Sequence, residues 1–361
     1  MKLPKQFLIP NTIICLILIF FFQVFIWQKY IAAKIYQRIT NSSSINAPPE
    51  INEELINYLR QAIRLTPLVS EYQFKIGELF LAQNEHRLAQ KWIINSLILE
   101  PTNTSYYLKL GLSYILSGKQ DKAEKEFYKI ESLDSNNALL FYELSDYYAR
   151  YFGKDKQEIT AVLYKKALFF SEKELQFKIM ETIYTDQNRS YSELKYIMPN
   201  RGVNRYLLAE FLRDKKLFDE SIAEYKKAII LVRRERNNHI LPDSYNWIAI
   251  IYFWQGKYNV AIEYFRKAAA LTQDHQYRSW ILSNLGDAYL RIGELEKSRD
   301  AYEKSMYDDP LRGDNYYGLG IIYEALKMKP QAIDYFQRAL KFNLGENAKK
   351  EINKRLDSLS E

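Results

Sequence analysis

The sequence predicts an all-α fold: a solenoid of helix-turn-helix hairpins, about seven regular and one degenerate, preceded by one N-terminal transmembrane helix. Three observations carry this prediction. A column of small residues recurs at Gly77, Gly111, Ser145, Ala209, Ala249, Gly286 and Gly320, and three of the intervals are 34 residues long. Each occurrence is followed by a second stripe, small, bulky and mostly small again, at the i, i+4, i+7 spacing of one helical face. Finally, residues 7–27 hold no charged side chain.

The N-terminal window comes first. Its core, residues 12–27, reads TIICLILIFFFQVFIW. A helix over 7–27 is about 30 Å long at ~1.5 Å per residue, enough to cross a bilayer core. Trp27 and Tyr30 fall where an interfacial aromatic belt lies. Residues 1–39 therefore read as a membrane anchor with a juxtamembrane stretch. No small-x-small cleavage site follows it, which argues against a cleaved signal. Lys2 and Lys5 on one side balance Lys29, Lys34 and Arg38 on the other, so charge hardly fixes orientation. A short basic tail before a single span favours an exported body; the opposite orientation places the solenoid on the cytoplasmic face. Residues 40–50, TNSSSINAPPE, read as a linker.

From residue 51 the hairpins begin. Leu55, Leu59 and Ala62 fit the second-helix stripe, so 51–69 read as a capping half-repeat. Over 70–344, the first helix of each unit carries Ile76, Leu110, Leu144, Leu208, Ile248, Leu285 and Leu319 just before the small column. Aromatic residues dominate three positions after it, as at Phe80, Tyr114 and Tyr289. The second helices carry Ala123-x3-Phe127-x2-Ile130, Ser221-x3-Tyr225-x2-Ala228, Ala261-x3-Phe265-x2-Ala268, Ser298-x3-Tyr302-x2-Ser305 and Ala332-x3-Phe336-x2-Ala339. Small residues let two helices approach, and the ring between them fills the gap. Asn84, Gly118, Gly256 and Gly293 mark the turns, where a left-handed residue ends a helix. Extra residues around Gly153 lengthen the third turn, and 171–200 form a hairpin without the signature. Residues 232–243 read as an inserted loop, and these irregularities are expected either to bend the solenoid or to divide it near residue 185. The polar stretch 345–361 reads as a helix that caps the last apolar face.

These columns resemble the tetratricopeptide repeat, a 34-residue helix-turn-helix with a Leu-Gly-Tyr face and an Ala-Phe-Ala face, and the resemblance covers residues 70–344. It implies a concave groove lined by first-helix residues that binds proteins or peptides. The implied groove positions, the second, fifth and ninth of each unit, include Phe74, Glu78, Tyr142, Asp146, Tyr206, Glu210, Asn246, Trp280, Asp287 and Tyr317. Such a groove is aromatic with acidic spots, which suits a basic or amide-rich segment. Relatives that clamp a terminal carboxylate carry Lys at the fifth position and Asn at the ninth, a pair found in none of the seven units.

The chain has a net charge of +7, but five of those charges fall in residues 1–40. The nearly neutral body offers no field for nucleic acid, and no nucleic-acid partner is expected. One Cys and three widely separated His leave no disulfide framework or zinc spacing. Phosphate-binding glycine loops and a nucleophile elbow are missing as well, so neither catalysis nor a cofactor is expected. The expectation is a membrane-anchored scaffold or adaptor for protein partners. The alternatives are an envelope or surface-polysaccharide assembly factor with an exported solenoid, or the accessory subunit of a membrane enzyme.

Overall fold

The computed structural model describes residues 22–34, 37, 49–185, 191–342 and 344–360. All regular structure among the described residues is helical, and the chain divides into two compact units, Met1–Phe170 and Ser171–Glu361.

In unit 1, residues 22–34 are helical. Phe22, Phe25, Ile26, Trp27 and Tyr30 are exposed along this helix. The ammonium groups of Lys29 and Lys34 sit 4.8 and 5.4 Å from the ring centres of Phe25 and Tyr30. Ala32, in contrast, is fully buried, in one cluster with Leu55 and Leu59 of α1 (Pro49–Leu65) and Tyr72 and Ile76 of α2 (Ser70–Ala82). The first two-thirds of the predicted span, residues 7–21, lie outside the described residues. Among the described residues, no helix is long and apolar enough to cross a membrane. The predicted linker ends two residues early: α1 starts at Pro49, in keeping with the preference of proline for a first helical turn.

Three hairpins follow: α2 with α3 (His86–Leu99), α4 (Thr104–Leu116) with α5 (Gln120–Leu133), and α6 (Ala138–Tyr151) with α7 (Gln157–Phe170). Helices of 13 or 14 residues are marginal alone in water and depend on burying one face. Here that face is the predicted pair of stripes, and Ile76, Leu110, Leu144, Ala89, Ala123 and Phe127 are all out of solvent. A 3-10 turn over Gly153–Lys156 takes up the extra residues of the third turn.

Unit 2 starts with the degenerate hairpin, α8 (Lys173–Thr185) and α9 (Tyr191–Ile197). Four regular hairpins follow: α10 (Gly202–Asp214) with α11 (Phe218–Glu235), α12 (Leu241–Trp254) with α13 (Tyr258–Leu271), α14 (His275–Arg291) with α15 (Leu295–Asp308), and α16 (Gly313–Ala325) with α17 (Lys329–Ala339). The polar α18 (Glu346–Ser360) packs on α17 and buries Ile352 against Ala332, Phe336 and Leu344.

The division falls at Phe170 and Ser171, ahead of the position expected near 185. The reason is a set of buried polar bonds that ties α8 and α9 to α10 and α11. Arg205 on α10 pairs with Glu224 on α11 at 3.1 Å and donates to the carbonyls of Lys195 and Met198. Tyr191 donates to Glu224 Oε1 at 2.6 Å, and Asn204 donates to Gln176 at 3.0 Å.

The insertion at 232–243 also differs from its expected form. Residues 232–235 extend α11, a 3-10 turn spans Asn238–Ile240, and Leu241 already opens α12. Two contacts hold the longer helix. Val232 is buried one turn beyond Ala228, and Glu235 Oε1 accepts from the Gly202 amide at 2.9 Å, at the start of α10.

Apart from the lengthened third turn, every regular hairpin turns through a left-handed residue: Asn84, Gly118, Lys216, Gly256, Gly293 and Lys327. The following amide then reaches back five residues, as Lys119 to Tyr114 O at 2.8 Å and Met328 to Tyr323 O at 2.9 Å, satisfying a helix-end carbonyl. At Lys216 and Lys327 a side chain occupies the conformation that favours glycine. Lys327→Gly is therefore expected to stabilise unit 2 by about 0.5–1 kcal/mol, the relieved strain exceeding the extra unfolded-state entropy. The check is a higher urea midpoint with an unchanged slope.

Candidate peptide-binding groove

The groove residues predicted in unit 1 lie on first helices and are half-buried. Phe74 on α2 stacks on Tyr106 of α4 with ring centres 4.3 Å apart. Glu78 pairs with Lys75 at 3.0 Å, Asp146 pairs with Arg150 at 2.8 Å, and the Tyr142 ring centre lies 6.5 Å from that of Tyr164. The last three contacts are made along one helix or across one hairpin, and the Phe74 stack joins the first helices of two successive hairpins.

In unit 2, several predicted positions are placed beneath the surface. Tyr206 is 9% exposed, Glu210 8% and Asn246 0%. The Tyr206 ring meets Tyr225 edge-on at 5.6 Å, and burial holds its hydroxyl above the usual tyrosine pKa. Glu210 takes an ion pair from Lys173 at 3.0 Å. Asn246 donates to the Tyr277 hydroxyl at 3.3 Å. Tyr317 on α16 stays half-buried beside Phe336, 6.1 Å between ring centres.

Trp280 and Asp287 meet in one place. A pocket of about 280 Å³ opens between α12 and α14, lined by Trp247, Ile250, Phe253, Trp254, Phe265, Trp280, Asn284 and Asp287. Its two walls are helical stripes. Trp247, Ile250 and Trp254 stand at i, i+3 and i+7 on α12; Trp280, Asn284 and Asp287 stand at i, i+4 and i+7 on α14. Ring centres of Trp247 and Trp280 are 6.2 Å apart, edge to face. Phe265, from α13, is fully buried. The Arg213 guanidinium lies 3.8 Å from the centre of the Trp247 ring. Arg213 also donates to the Tyr225 hydroxyl at 3.4 Å and to Asp214 at 2.8 Å.

Asp287 is open to water on one side and crowded by protein on the others. The Tyr302 hydroxyl donates to its Oδ1 at 2.5 Å. Lost hydration raises its pKa to about 6, a rise that the Tyr302 hydrogen bond opposes and the nearby Asp314 adds to. Tyr302 itself is fully buried, and desolvation beside that carboxylate lifts its hydroxyl well above the ordinary tyrosine range.

Trp247, Phe253, Trp254 and Asn284 are pocket residues that the second, fifth and ninth positions do not contain. A usable signal was composition: three of the chain's five tryptophans, Trp247, Trp254 and Trp280, line this one pocket. Among the described residues, no three His, Cys, Asp or Glu side chains are grouped to hold a metal ion.

Family profiles described as tetratricopeptide repeat match residues 104–137, 240–306 and 283–347. The general transcriptional corepressor trfA of Dictyostelium discoideum is 26% identical over 127 residues, covering 35% of this chain and 8% of that protein. The photosystem I assembly protein Ycf3 of Prochlorococcus marinus (strain MIT 9301) is 30% identical over 69 residues, covering 19% of this chain and 40% of its own length. The chain thus spans less than half of either curated relative. Among solved structures, MamA aligns at 20% identity and a TM-score of 0.36, covering 56% of this chain and 96% of MamA. YrrB, described as a TPR protein with an unusual peptide-binding site, aligns at 14% identity and a TM-score of 0.39, covering 63% of this chain and 97% of YrrB.

Proposed function

Because this chain is a tetratricopeptide-repeat protein, we propose that it is a non-catalytic scaffold, tethered to a membrane through residues 7–27, which recruits protein or peptide partners along the first-helix face of unit 2. The observation that carries the recruiting role is the tryptophan pocket between α12 and α14. Tryptophan offers large contact area at small entropic cost and dominates binding hot spots. The tether is supported by the charge-free window and by the exposed row Phe22, Phe25, Ile26, Trp27 and Tyr30, which continues it. Burial of Ala32 against α1 and α2 would then hold the front of unit 1 beside the membrane surface.

The solenoid is proposed to lie outside the cytoplasm. An export-dependent reporter fused at Glu361 tests that: a signal supports it, and silence with an active cytoplasmic reporter moves the scaffold to the inner face. Assembly of a larger complex is the form of the role that the name of the photosystem I assembly proteins suggests.

The recruiting role is tested by crosslinking partners to the full-length chain in membranes. Trp254→Ala combined with Trp280→Ala is expected to cut capture at least tenfold, about 1.4 kcal/mol or more, while helicity stays intact. Trp254 is exposed and suits the test, whereas the buried Tyr206 does not. Undiminished capture would move the binding surface off this face.

A further inference from the structure

The pocket has a chemistry more specific than a greasy hollow. Five of its lining residues are aromatic, and Asp287 is the single formally charged one. The carboxylate keeps water on its open side only, and an aliphatic guest would strip that water without compensation. A cation gains from both features, since ring faces attract positive charge and the carboxylate neutralises it. Trp247 already receives one cation, the Arg213 guanidinium 3.8 Å from its ring centre, though Arg213 is not among the lining residues. Tyr302 engages only Oδ1 of Asp287, which leaves Oδ2 for a donor.

We propose that the pocket between α12 and α14 receives a lysine or arginine side chain of an extended partner segment, with Asp287 as its counter-charge and Trp247, Trp254 and Trp280 as its walls. This rests on the scaffold reading and names the side chain that the scaffold selects. A volume of about 280 Å³ admits one long side chain. Asn284, between Trp280 and Asp287 on the same stripe, offers an amide to the guest's backbone or head group.

The arrangement makes recognition depend on pH. The groups acting on Asp287 are the Tyr302 hydroxyl from α15, Asp314 from α16 and Arg291 of its own helix. With its pKa at about 6, Asp287 is ionised at pH 8 and mostly neutral at pH 5. A cationic guest binds the ionised form, so its affinity holds above neutrality and falls as pH drops through 6.

The test uses purified full-length chain and tryptophan fluorescence, titrated with N-acetyl-lysine methylamide, its arginine counterpart and the uncharged norleucine counterpart. Lysine and arginine probes are expected to bind roughly five- to thirtyfold more tightly than norleucine at pH 8, the range of a partly to fully desolvated cation–π contact. That preference is expected to shrink severalfold at pH 5 and in Asp287→Asn, a neutral variant of the same shape that leaves the tryptophan walls in place. Trp254→Ala, at an exposed position, is expected to weaken all three probes. Equal binding of norleucine and lysine by the unaltered chain overturns the proposal, as does lysine binding indifferent to Asp287→Asn. Partner capture is scored separately: capture that survives alongside norleucine parity leaves the scaffold standing and removes only the basic guest.

Discussion

Glu224→Ala will destabilise unit 2 by about 3–5 kcal/mol, the cost of stranding a buried charge. Glu224 has no solvent-exposed side-chain surface, and its partner Arg205 is 10% exposed. In the intact chain, the carboxylate accepts from Arg205 at 3.1 Å and from Tyr191 and Lys227 at 2.6 Å each. Removing it leaves the guanidinium buried with only the Lys195 and Met198 carbonyls as partners. It also releases Tyr191, the hydroxyl that fastens α9 to α11. The check is urea unfolding followed by circular dichroism, together with proteolysis between α8 and α9. A midpoint within error of the unaltered chain would show that the pair contributes nothing. Arg205→Met with Glu224→Leu is expected to recover much of the loss, because paired apolar residues avoid the desolvation cost.

Gly286→Val will cost about 1–3 kcal/mol by overpacking and will disturb the pocket at the same time. A Cβ at residue 286 would stand 2.8 to 2.9 Å from three ring atoms of Tyr302, and that ring cannot retreat. Its other side meets Gly318, where an added Cβ would also collide with it. Displacing the ring pulls its hydroxyl from Asp287, next to the substituted residue. Lower stability should therefore come with weaker binding of the lysine probe. By comparison, Gly293→Ala meets no neighbouring atom and should cost only the strain of a left-handed residue, with probe binding unchanged.

Much of the fold was legible because each hairpin solves the same local problem. The small columns predicted close helix approach, and the structure places Gly111 against Phe127 and Gly320 against Phe336. Serine in those columns does more than stay small: Ser221 Oγ donates to Ala209 O at 2.8 Å, and Ser298 Oγ to Gly286 O at 2.7 Å. The turns at Lys216 and Lys327 were not legible from residue type, since hairpin geometry there overrides the lysine backbone preference. The insertion at 232–243 read as loop because its charges and its one proline suggest one. Burial of Val232 and the Glu235 bond to Gly202 make its first four residues helix instead. The division near 185 was misplaced for a related reason: Arg205 and Glu224 are ordinary surface residues by type, and only their meeting reveals where the hairpin belongs.

The groove was less legible than the core. Positional columns selected Tyr206, Glu210 and Asn246, which neighbouring helices cover, and passed over Trp247, one residue beyond Asn246. Groove exposure depends on how far each hairpin rotates against the next, and no single repeat encodes that angle.

The aromatic rung of the second helices is phenylalanine in some repeats and tyrosine in others, a difference that looks like neutral drift within a core. Yet the Tyr225 hydroxyl is met by Arg213, and the Tyr302 hydroxyl meets Asp287, each a first-helix residue of the same repeat. Phe127, Phe265 and Phe336 fill the same rung without a polar tip. One oxygen atom in the interior thus writes polarity onto the first-helix face. A designer swapping repeats between such proteins would transplant groove character along with what seemed to be filler, and a Tyr-to-Phe exchange at 302 edits recognition from behind.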